Sequence, residues 1–112
     1  MSDLPALTPA EAETLLSARR LLFATFPVEK VVLFGSKARC DAGEESDVDV
    51  LVVTSLRLTR TDRHRLGDTV YDLGLKTGVF PSTIVVCAED WESGRFRVLP
   101  LKQEIEEQGV VL

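Results

Sequence analysis

Apolar residues along this chain switch between two periods, and the switches mark out its elements. Leu15, Leu16, Leu22, Phe23 and Phe26, with Ala12, recur at three-, four- and seven-residue spacings, while Glu11, Glu13, Arg19 and Arg20 fall largely outside that face. The spacing predicts an amphipathic helix. Thr8-Pro9-Ala10-Glu11 supplies its start, with an N-cap hydroxyl, a proline at the first helical position and a capping-box glutamate, and Pro27 ends it. Val31-Val32-Leu33-Phe34 is a continuous apolar run ending at a glycine, the pattern of a buried strand. After a polar segment, Val48, Val50, Leu51, Val52 and Val53 predict a second strand in which Asp47 and Asp49 are the charges. Thr61 to Lys76 reads as a helix with Leu66, Val70 and Leu73 inward and Gly78 as terminator. Thr83-Ile84-Val85-Val86-Cys87 is a third strand. A short helical turn from Glu89 to Glu92 and a helix from Leu99 to Glu107, closed by Gly109, complete the chain. Strands separated by helices throughout predict an α+β fold of α/β-like character, a small mixed β-sheet flanked by helices. No linker or low-complexity segment divides it, so residues 1–112 are expected to form a single domain.

Composition narrows the function classes. With 45% hydrophobic and 28% charged residues, the chain matches an ordinary globular protein rather than a disordered or fibrous one. No apolar run approaches the roughly 18 to 20 residues of a membrane span, and no signal-peptide pattern opens the chain, which points to a cytoplasmic protein without a membrane partner. In that compartment Cys40 and Cys87 are expected as free thiols. A net charge of −5 argues against a broad basic face for nucleic acid. The densest basic run, Arg57 to Arg65 with His64 inside it, reads as a solvated helix entry. Trp91 is expected to cap the sheet edge as core or interface, and Arg95 and Arg97 around Phe96 suit a protein-facing or surface role.

Chemistry concentrates between Leu33 and Thr54. Strand residues two apart share a face, so Asp47 and Asp49 project side by side with Val48 and Val50 on the other face. Close carboxylates repel, and both stay ionised only with a cation between them. Oxygen-only ligands suit Mg²⁺, which takes one or two protein carboxylates and completes its shell with waters and phosphate. On their own the two aspartates fit equally a metal site and an exposed strand end with Ser46-Asp47 as turn residues. The preceding turn shifts the balance. Gly35 permits close approach of a ligand to the backbone, and Ser36, opening the helical Lys37-Ala38-Arg39, contributes a hydroxyl beside free N–H groups, a seat for phosphate. Lys37 itself reads as a surface residue.

Gly35-Ser36-Lys37-Ala38-Arg39 followed by Ser46-Asp47-Val48-Asp49-Val50 resembles the Gly-Ser-x-Ala-Arg-Gly … Ser-Asp-x-Asp-Leu signature of minimal nucleotidyltransferases, short members of the DNA polymerase beta superfamily. The flanking helices and the Pro100-Leu101 … Ile105-Glu106 … Gly109 ending extend the likeness over nearly the whole chain. The resemblance implies that Gly35 and Ser36 hold a triphosphate, that Arg39 supports the loop or the phosphates, and that Asp47 and Asp49 are catalytic metal ligands. It further implies Mg²⁺ as cofactor, ATP as donor, and transfer of AMP to a hydroxyl of a partner protein, RNA or small molecule. A separately encoded helical partner of the HEPN type, as in toxin–antitoxin modules where such a chain is the antitoxin, or a homo-oligomer, is the implied assembly. Two departures stand against this. Cys40 replaces the usual glycine after Arg39. The third carboxylate of active relatives is missing from Ser82-Thr83-Ile84-Val85-Val86-Cys87, where Thr83 is the expected place to restore it and Asp72, Glu89 and Asp90 are the nearest acids. The alternative is therefore a weak or inactive module that binds nucleotide and partner; a purely structural interaction domain is the third reading.

Overall fold

The computed structural model of the chain describes residues 7–39, 48–94 and 99–112. Helix α1 (Pro9–Thr25) starts as its sequence dictates: the Thr8 hydroxyl accepts from the Glu11 amide at 3.1 Å, and Glu11 Oε1 accepts from the Thr8 amide at 2.9 Å. Its buried face is Glu11, Thr14, Leu15, Ala18 and Leu22, with Phe26 beyond its end. Leu16 and Phe23, expected on that face, are exposed instead, since each lies one residue, about 100° of helix turn, past an inward leucine.

Strand β1 (Val28–Phe34) begins three residues before the apolar run, ahead of a register irregularity between Val28 and Lys30. The short α2 (Ser36–Arg39) follows it, then β2 (Asp49–Thr54), α3 (Arg60–Thr77), β3 (Ser82–Cys87), α4 (Ala88–Ser93), α5 (Pro100–Gln108) and a two-residue β4 (Val110–Val111) that the pattern does not anticipate. The sheet order is β3-β2-β1-β4, with β1 antiparallel to β2 and β4, and β2 parallel to β3. This is the mixed sheet with helical cover that the alternation of elements requires. No helix among the described residues is long and apolar enough to cross a membrane.

The pleat sorts the strands onto two cores. Val31, Leu33, Val48, Val50 and Val52 pack with Leu15 and Leu22 of α1 and Leu66 and Val70 of α3. Val32, Phe34, Leu51, Val53 and Val86 pack on the opposite face with Trp91 of α4 and Ile105 of α5. Trp91 thus covers a sheet face and belongs to the core. Leu73, expected inward, is only half-buried, because Gly74 takes the close contact. The Phe80 ring lies where a Gly74 side chain would be. Gly74→Ala is therefore expected to displace the half-exposed Phe80 ring, a cost partly offset by the roughly 1 kcal/mol by which alanine favours a helix interior over glycine, read as a small fall in the urea midpoint at unchanged slope.

The basic run is a helix entry, as expected. Arg57 makes a two-point bridge to Asp90 (2.7 and 2.9 Å), Arg63 donates to the Val85 carbonyl, and Arg65 faces Asp62 at 3.4 Å. The Asp90 carboxylate, through its hydrogen bonds and then its charge, raises the Arg57 pKa above its ordinary value. His64 is exposed, and Cys87 is a buried free thiol.

Candidate active site

The pairing of Phe34 with Asp49 brings the end of β1 and the start of β2 together at one end of the sheet. Gly35 leaves β1 with φ +78°, a conformation that side-chain-bearing residues rarely adopt, and its carbonyl accepts from the Ala38 amide at 3.1 Å, closing the turn that opens α2. The Asp49 carboxylate reaches over this turn: a Cβ on Gly35 would stand 2.6 Å from Asp49 Oδ2. Glycine is thus required twice, by the backbone angle and by the aspartate. Asp49 is half-buried and, by the alternation along β2, shares the α4/α5 face with Phe34 and Leu51. Ser36 and Arg39 both lie on α2 beside Gly35. Asp47 and Cys40 lie outside the described residues, as do Arg95, Phe96 and Arg97.

Lys37 is not a surface residue. It is 1% exposed, and its ammonium sits 3.1 Å from Glu11 Oε1, the oxygen that also completes the α1 capping box. The partner lies 26 residues away in sequence, so no local pattern signals it.

The register also relocates the missing acid. Ser82, not Thr83, pairs with Asp49, followed by Thr83 with Val50 and Ile84 with Leu51. Ser82 and Ile84 accordingly share the face of Asp49. Thr83 points the other way and lines a cavity of about 180 Å³ with Gly67, Val70 and Tyr71 of α3. The nearby acids are misplaced too: Asp72 is on α3, across the sheet, while Glu89 and Asp90 follow β3 at the end of the strands remote from Asp49. A larger cavity, about 290 Å³, lies further along the Asp49 face between Val32, Leu51, Trp91 and Ile105, and neither Gly35 nor Asp49 lines it.

A magnesium ion fits what is described. Its ligand would be a carboxylate oxygen held over a side-chain-free α-carbon, the hard oxygen donor that Mg²⁺ prefers. No group of three or more histidine, cysteine or acidic side chains capable of holding a metal occurs among the described residues.

The model of the nucleotidyltransferase domain family matches residues 15–110, most of the chain and all of the site. The chain belongs to that family. A curated protein of Methanocaldococcus jannaschii, provisionally named a protein adenylyltransferase, is 36% identical to this nucleotidyltransferase domain over 58 residues, 52% of this chain and 59% of the other. The match thus spans less than two thirds of that relative. Among solved structures, a provisional nucleotidyltransferase of Sulfolobus solfataricus superposes with a TM-score of 0.55 at 22% identity, covering 88% of this chain and 76% of the other. A toxin–antitoxin structure with AMP-PNP gives 0.56 at 19% identity, covering 88% and 69%. A variant of the MntA–HpeT toxin–antitoxin gives 0.56 at 20%, covering 86% and 69%. At these identities the structures speak for the fold.

Proposed function

We propose that this nucleotidyltransferase domain transfers AMP from ATP to a hydroxyl of a partner protein, with Mg²⁺ as cofactor. The observation that carries the proposal is the Asp49 carboxylate held over the glycine turn, where an anionic triphosphate would meet a cation-binding group. Gly35, Ser36 and Arg39 would receive the phosphates, and Asp47 and Asp49 would hold the metal. A bound Mg²⁺ supplies neutralisation of phosphate charge and a more acidic acceptor hydroxyl. In the reaction the acceptor oxygen bonds to the α-phosphorus, the bond from that phosphorus to the bridging oxygen breaks, pyrophosphate leaves, and the acceptor proton passes to a base. This chain's part is to fix the donor against the turn. The protein acceptor is supported by the name of the archaeal relative. A toxin as that acceptor, with this chain as antitoxin, accords with the fold shared with toxin–antitoxin structures.

A second reading has its own observation. None of the three β3 positions on the Asp49 face, Ser82, Ile84 and Val86, is acidic, which favours a slow catalyst or a nucleotide-binding module. A positioned base is typically worth about 10²- to 10⁴-fold in rate, so its loss leaves transfer slow but measurable. Incubation of labelled ATP, Mg²⁺ and the protein encoded by the neighbouring gene should place label on that protein. Ser82→Asp, beside Asp49, and Ile84→Asp, diagonal to it, should raise the rate, whereas Thr83→Asp, on the opposite face, should not. ATP binding without any transfer, even in the acid-bearing variants, would establish the binding module instead.

A further inference from the structure

The Glu11–Lys37 pair joins two parts of the chain that the chemistry treats separately. Lys37 lies two residues beyond Gly35, inside α2, yet its ammonium points away from solvent into the first turn of α1. Glu11 Oε1 receives it at 3.1 Å while receiving the Thr8 amide at 2.9 Å, so a single carboxylate oxygen ties the helix cap to the turn. The side chains are 1% and 10% exposed. Withdrawing two charges from water costs free energy, and apolar side chains of similar volume serve stability as well or better. What the pair provides beyond stability is a defined position. A directional ion pair between two nearly buried groups holds its backbone to a narrower place than a methyl group sliding in a core.

We propose that Glu11 and Lys37 are positioning residues, which hold the Gly35–Ala38 turn in the shape that receives the triphosphate and so make the first turn of α1 a support of the nucleotide site without touching substrate. This rests on the nucleotide site proposed above. It predicts that the pair governs donor binding more than the rate of the bound complex: KM for ATP rises while kcat changes little.

The test uses Glu11→Gln with Lys37→Met, because glutamine preserves the capping box and methionine preserves volume, removing both charges together. Lys37→Met alone leaves a carboxylate buried without this ammonium and should melt lower than the double variant, in which that charge is gone as well. In the double variant the Ala38 amide, bonded to the Gly35 carbonyl in the native turn, should exchange at least about tenfold faster in nucleotide-free protein, and ATP affinity should fall about tenfold. Val70→Ala, a core variant on α3, controls for general loss of stability and should show neither change beyond its own drop in melting. Unchanged Ala38 exchange in the double variant, or faster exchange with wild-type ATP affinity, would overturn the proposal. If the wild-type chain binds no ATP, the proposed function falls, and Ala38 exchange still decides whether the pair positions the turn.

Discussion

Asp49→Asn is expected to abolish the effect of metal on nucleotide binding and to lower transfer by roughly 10³-fold, the scale of losing several kcal/mol of charge stabilisation. Asparagine keeps the shape of aspartate and gives up its negative charge. The half-buried position opposite Phe34 can therefore remain packed while the ligand for a cation is lost. Calorimetry of ATP with Mg²⁺ and with a chelator makes the comparison: wild-type affinity should depend on the metal, and that of the variant should not. Equal wild-type affinity with and without chelator would remove Asp49 from the metal site. The turnover readout matters as well, because a carboxylate that merely shaped the turn would change affinity and leave the rate of the bound complex alone.

The second large effect is expected at Gly35, where strain and obstruction can be told apart inside this chain. Gly35→Ala places a methyl carbon 2.6 Å from Asp49 Oδ2 in addition to forcing alanine to φ near +78°. Gly78, the left-handed cap of α3, has nearly the same angle, φ +82°, and nothing within 4 Å of an added Cβ. Both substitutions should cost on the order of 1–3 kcal/mol for the backbone angle, and Gly35→Ala should melt at or below Gly78→Ala because of its added contact with Asp49. Only Gly35→Ala should weaken ATP, by about 100-fold, because only there does the new atom displace the carboxylate. If Gly78→Ala weakens ATP to the same extent, loss of stability accounts for both, and the turn has no special claim on the phosphates.

Local chemistry explains which elements could be read in advance. The starts of α1 and α3 and the end of α3 are set by groups within three or four residues of one another: Thr8 with Glu11, Thr59 with Asp62, and Gly78 in its left-handed cap. The apolar runs of β1, β2 and β3 needed only their own alternation. The Gly35 turn and Asp49 were likewise visible, because the motif spacing and the pleat act over short distances. Features that depend on partners distant in sequence were not. Lys37 reads as solvated until Glu11 is brought beside it, and Leu16 reads as inward until α3 and β1 choose which side of α1 to cover. The third-acid position turned on a shift of one residue between parallel strands, which exchanges the faces of every side chain, and neither strand carries that register alone. β4 is two valines after Gly109, too short for any periodicity, and exists because Leu33 and Val32 of β1 have a free edge to pair.

The chain's one tryptophan gives the fold a built-in optical reporter. Trp91 is 2% exposed, packed with Leu51 on the sheet face that carries Asp49, with the Lys102 ammonium 5.3 Å over its ring. An indole in so dry a setting emits at short wavelength, and a cation above it makes its intensity sensitive to small displacements of α5. Ligands that shift α4 or α5 against the sheet would therefore change the colour or brightness of the native protein, with no label attached, and a titration could follow them in real time through the sheet face next to the chemistry.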